Sequence, residues 1–108
     1  MRNWMIFPSV IAGFALSTMT AADKAGDAAK GKEVFEQCSV CHNTDSDEKK
    51  IGPSLKSLYK HAKLKNGKTV TDANVLAVIN AGGGGMPSYS DTLSDQEKSD
   101  VIAYLKTL

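Results

Sequence analysis

Neither sign of charge is in surplus: 13 Lys and Arg stand against 12 Asp and Glu in 108 residues, a formal net charge of +1. That balance argues against nucleic acid as the main partner. Aromatics are scarce, seven in all, and three of them (Trp4, Phe7, Phe14) fall within the first fourteen positions. No repeat and no alternating strand pattern is present, so a β-sheet fold has little to build on. From Asp23 onward there is no Arg and no Trp, and Val, Ile, Leu, Met and Phe make up only 18 of 86 residues. A domain so short of large apolar side chains needs a staple: a disulfide, a structural metal or an apolar cofactor.

The opening segment accounts for part of this distribution. Arg2 supplies one positive charge, Trp4 to Leu16 is an uncharged apolar stretch of 13 residues, and Ser17 to Ala22 is small and polar apart from Met19. Together they resemble a secretory signal peptide over residues 1–22, with cleavage expected after Ala22 and a single domain over 23–108. A retained membrane anchor is the competing reading, but 13 residues at the helical rise span only about 20 Å of a core about 30 Å thick. Pro8 weakens a spanning helix further. The expected location is periplasmic or otherwise extracytoplasmic.

The remaining 86 residues hold 12 Lys and 12 acids, unevenly spread. Seven lysines and no acid occupy residues 49–68 (Lys49, Lys50, Lys56, Lys60, Lys63, Lys65, Lys68), whereas residues 23–48 carry three lysines and seven acids. Such a run is either a solvated loop or a docking face for an acidic partner. Periodicity gives helices throughout. Asp27 caps a first helix expected to run through Cys38, with Gly31, Phe35 and Cys38 along its buried stripe. A short second helix is expected over Ser54 to Tyr59. Thr71 caps a third that ends at Gly82, and Ser94 with Glu97 forms a capping box for a last helix bearing Val101, Ile102, Tyr104, Leu105 and Leu108. An all-α single domain of three to five helices follows.

The two cysteines choose the staple. Cys38-Ser39-Val40-Cys41-His42 has the C-x-x-C-H spacing of covalent haem attachment. On a helical turn, positions i, i+3 and i+4 share a face, so two sulfurs can reach the vinyl edges of a porphyrin while the next imidazole turns onto the iron. A thioredoxin-like pair would need a preceding strand and a βαβ surround. A zinc site from Cys38, Cys41, His42 and His61 lacks the usual second ligand pair. A Cys38–Cys41 disulfide would close too tight a loop to stabilise much. One haem c per chain answers the core deficit best.

Past the leader, the candidates for a second axial ligand are His61 and Met86. Met86 follows four glycines and precedes Pro87, a loop whose backbone can approach a porphyrin closely. His61 sits among lysines, where a solvated histidine is the expected state. These features favour Met86, and His with Met leaves no open position on the iron.

With these residues in place, the chain resembles a small bacterial class I cytochrome c from Asp27 to Leu108. The resemblance implies a small cytochrome c fold wrapped round one covalent haem, with His42 as proximal and Met86 as distal ligand. It implies that Pro53, in Gly52-Pro53, accepts the imidazole N–H through its carbonyl, and that the first and last helices cross through Gly31, Phe35, Val101 and Tyr104. It departs in having no tryptophan for a haem propionate, which leaves Tyr59, Tyr89 or a lysine as substitutes. Four glycines also exceed what close approach requires, which would make the Met86 loop soft. The implied activity is not enzymatic: a soluble, monomeric one-electron carrier between a quinol-oxidising reductase and a terminal oxidase or reductase. A haem peroxidase or ligand sensor in which Met86 dissociates is the alternative.

Overall fold

The computed structural model describes residues 25–108, so the leader and its boundary at Ala22 lie outside the described residues. Three α-helices follow in order, α1 (Ala28–Phe35), α2 (Asp72–Ala81) and α3 (Asp95–Leu105), with a 3₁₀ turn over Leu58–Lys60. Among the described residues the only β pairing is two isolated bridges, Lys63 with Thr69 and Gly83 with Met86. No helix there is long and apolar enough to cross a membrane.

Each helix begins where cap chemistry puts it. The Asp27 carboxylate accepts from the N–H groups of Ala29 and Lys30, and the Thr71 hydroxyl accepts from Asn74 N–H. Ser94 Oγ accepts from Glu97 N–H at 3.1 Å while Glu97 Oε1 accepts from Ser94 N–H at 3.0 Å, completing the capping box.

Two expected boundaries are corrected. The first helix stops at Phe35 rather than Cys38, because the chain tightens into i→i−3 bonds from Cys38 N–H to Phe35 O and from Cys41 N–H to Cys38 O. Ser39 Oγ adds a competing bond to Glu36 O at 2.6 Å. The expected Ser54–Tyr59 helix is absent, because Ser57 sits in the left-handed region at φ 54° and only the last turn winds, as 3₁₀.

Helices α1 and α3 cross in near backbone contact. A Cβ added to Gly31 would lie 1.9 Å from Asp100 O, so no larger residue fits without moving the helices apart. Phe35 and Tyr104 pack beyond it with ring centroids 5.3 Å apart and planes tilted by 50°. Asp100, almost fully buried, is satisfied by Asp27 N–H at 2.8 Å and Gln96 Nε2 at 2.9 Å, which locks the start of α1 to α3. Around this crossing lie Phe35, Leu58, Val75, Ile79, Leu93, Val101, Ile102 and Leu105, and no large side chain among the described residues falls below 2% exposure. The short core matches the sequence deficit.

Candidate haem-binding site

The turns after α1 carry Cys38, Cys41 and His42 onto one wall of a cleft of about 930 Å³. Met86 and Tyr89 line it from the segment following α2, and Leu55, Leu58, Leu64, Val75, Val78, Ile79 and Leu105 make its surface largely apolar. His42 N–H bonds to Cys38 O at 3.0 Å, so the imidazole leaves the chain one turn after the first sulfur.

The ring is held from behind. His42 Nδ1 lies 2.6 Å from Pro53 O. A carbonyl only accepts, so Nδ1 carries the proton and Nε2 keeps its lone pair in the neutral ring. Gly52 makes this possible: a Cβ there would lie 2.5 Å from the imidazole Cε1. Gly52 N–H also donates to Cys41 O at 2.8 Å, tying the Gly-Pro segment to the cysteine turn.

Met86 closes a tight turn. Gly83 N–H donates to Met86 O at 2.8 Å and Met86 N–H to Gly83 O at 3.0 Å. Between them Gly84 and Gly85 have φ of 60° and 94°, both in the region a I′-type two-residue turn demands. At Gly84 and Gly85 the turn itself calls for glycine. Beyond Pro87, Tyr89 N–H bonds to Ile79 O at 3.0 Å, and the buried Lys98 reaches Ser90 O with its Nζ at 2.9 Å, so the exit is pinned to both α2 and α3.

The sulfurs of Cys38 and Cys41 are not joined to each other. Burial pushes the Cys38 thiol above its usual pKa, and Cys41 adds to the effect. A redox-active dithiol works best with its pKa lowered, which this environment does not do. Nor do three or more His, Cys, Asp or Glu side chains converge anywhere among the described residues to hold a metal ion, which removes the zinc reading.

His61 stands exposed at the rim of the same cleft, with Lys49, Lys56, Lys63 and Lys65. Tyr59 is engaged elsewhere. Its hydroxyl donates to Asp72 Oδ1 at 2.8 Å, and Lys106 Nζ holds Asp72 Oδ2 at 2.7 Å while lying 5.7 Å from the Tyr59 ring centroid. Burial, and then the bond to Asp72, raises the Tyr59 pKa.

Residues 26–105 match the family model described as "Cytochrome C oxidase, cbb3-type, subunit III". The cytochrome c2 of Blastochloris viridis is 32% identical over 86% of this chain and 87% of its own length. The chain is a class I c-type cytochrome. A cytochrome c6-like protein of a Nostoc species is 33% identical over 85% of this cytochrome and 80% of its own length. The solved cytochrome c6 of the diatom Phaeodactylum tricornutum superposes with a TM-score of 0.59 at 27% identity, over 76% of this chain and 93% of that one. The cytochrome therefore carries covalent haem c and transfers electrons rather than turning over a substrate. The apolar walls, the paired thiols and the oriented imidazole fit that group.

Proposed function

We propose that Cys38 and Cys41 hold the haem through thioethers, that His42 Nε2 and Met86 sulfur are the axial ligands, and that this cytochrome is a soluble, monomeric periplasmic carrier. It takes one electron from a quinol-oxidising reductase and gives it to a terminal oxidase or reductase. The observation that carries this reading is the bond from His42 Nδ1–H to Pro53 O, which turns the basic Nε2 toward the cleft that Met86 lines. Such a bond also raises the basicity of the ligating nitrogen and steadies the ring through changes of oxidation state. Bound there, the haem iron supplies a ferric–ferrous couple that gains one electron from a donor and returns it to an acceptor.

The chain's own work is to hold that couple, set its potential and keep other ligands out. A thioether opposite the imidazole raises the potential. Met86 is preferred over His61 because its turn is closed by two backbone bonds and pinned beyond Pro87, whereas His61 stands exposed at the rim. An open-iron peroxidase or sensor would require Met86 to leave this braced position. Carbon monoxide separates the two: the ferrous protein binds it sluggishly at neutral pH if Met86 stays, and rapidly if the iron is open. The lysines of residues 49–68, four of them on the cleft rim, suit an acidic partner. Reduction by that partner falls steeply as salt rises; a flat response would discard the lysine face and leave the carrier reading standing.

A further inference from the structure

Lys98, near the start of α3, is only 7% exposed. Lysine is among the residues least often buried without an ionic partner, and here no carboxylate serves: the one ion pair among the described residues is Lys106 with Asp72. The helix offers no compensation, because its N-terminal end favours anions. What Nζ holds instead is a main-chain carbonyl, Ser90 O at 2.9 Å. A placement this costly calls for a role that an apolar side chain could not fill.

Ser90 belongs to the segment that joins Met86 to α3, and the bonds along that segment are few. Ser88 Oγ donates to Asn80 O and Tyr89 N–H to Ile79 O, so both ties to α2 use carbonyls from the last turn of that helix. Leu93, buried in the core, fixes the far end. Among the described residues the Lys98 bond is the one hydrogen bond that joins residues 86–93 to α3.

We propose that Lys98 is a positioning residue for Met86: its bond to Ser90 O holds the Met86–Leu93 segment to α3 and so keeps the thioether at the iron. The proposal rests on the axial assignment of Met86. Without the bond, the segment keeps its ties to α2 and to Leu93 but gains freedom between them, and the sulfur leaves the iron more often. The charge is part of the device, since a charged donor makes a hydrogen bond roughly twice as strong as a neutral one. Loss of the charge and loss of the bond also push cyanide binding in opposite directions. A cation removed from the interior makes the iron less attractive to an incoming anion and slows binding, whereas a loosened segment speeds it.

Cyanide binding to the ferric, haem-loaded protein is followed by stopped flow in wild type, Lys98→Met and Lys98→Arg, with Met86→Ala setting the open-iron rate. Lys98→Met binds about tenfold faster than wild type, the order of effect that one charge-assisted hydrogen bond supplies, and its sulfur-to-iron charge-transfer band weakens. Lys98→Arg, which keeps a charged donor, restores the wild-type rate and band. Lys98→Gln carries the same comparison if Lys98→Met does not accumulate with haem. Gly67→Ala, in a turn that carries neither proposed ligand, stays at the wild-type rate. A Lys98→Met or Lys98→Gln protein that melts lower yet binds cyanide no faster than wild type assigns the lysine to the fold alone and overturns the proposal. Equal acceleration in Lys98→Arg or in Gly67→Ala overturns it as well, in favour of general loosening. Wild type that binds cyanide at the Met86→Ala rate means that Met86 is not on the iron; the axial assignment then fails and this proposal falls with it.

Discussion

The two sides of the molecule are held by different means. The α1–α3 crossing is closed by its own atoms: Gly31 against the Asp100 backbone, Phe35 on Tyr104, and the buried Asp100 carboxylate satisfied from two elements. The cleft side joins a set of short turns, bonded at intervals, to the apolar residues of α2, and leaves a largely apolar surface for the haem to cover. The crossing builds a frame, and the haem completes the core. That division explains how 18 large apolar residues suffice for 86 positions.

The largest effect is expected where the frame has no slack. Gly31→Ala forces a methyl to within 1.9 Å of Asp100 O unless the helices part, and stability falls by about 3 kcal/mol. Thermal denaturation of the haem-loaded protein measures it. An unchanged melting temperature would mean that the crossing does not carry the fold. Gly84→Ala comes next. An L-residue at φ 60° costs about 1–2 kcal/mol and loosens the turn that presents Met86. Its signature is faster carbon monoxide binding. Gly67→Ala, at φ 84° in the turn after Leu64, which carries neither proposed ligand, costs a similar amount without that acceleration. Equal rates for the two variants would break the distinction between them.

The smallest effect belongs to the Tyr59–Asp72–Lys106 cluster. The hydrogen bond from Lys106 lowers the Asp72 pKa, burial opposes it, and the bond from Tyr59 lowers it further. A depressed carboxylate stabilises the fold above its unfolded value of about 4 and loses that contribution as pH falls through the folded pKa. With both partners of the ion pair about half exposed, Asp72→Asn costs less than about 1 kcal/mol near neutrality. Melts at pH 7 and pH 3 show the gap between variant and wild type closing in acid. A gap that persists at pH 3 would assign the contribution to packing instead.

How much of this was legible in the sequence follows the reach of the interactions. Helices α2 and α3 begin where Thr71 and Ser94 predict, because a cap is settled within four residues. The Gly31–Tyr104 crossing was legible only through family resemblance, since nothing local says which helix faces which. The end of α1 and the fate of Ser54–Tyr59 were misread because side-chain bonds from Ser39 and a left-handed Ser57 leave no periodic trace. Asp100 as a buried anchor, and Gly26, whose added Cβ would lie 1.9 Å from Ser99 O, were missed for the same reason: both depend on contacts some 70 residues away. The four glycines announce a loop that can approach a porphyrin closely, but the turn they build is not visible in the sequence. Their positive φ values and the paired bonds of the Gly83–Met86 turn set the path of the backbone that carries Met86. Among the propionate candidates, Tyr59 is committed to Asp72, while Tyr89 and four lysines line the cleft.

The proposed ligands, nitrogen from His42 and sulfur from Met86, must meet the same iron. The optical spectrum of the ferric protein, matured in a host that attaches haem, tests this directly when recorded beside Met86→Ala. A sulfur-to-iron charge-transfer band present in the wild type and absent in the variant is the predicted result. A band that survives the substitution, or a wild-type spectrum without one, would contradict it.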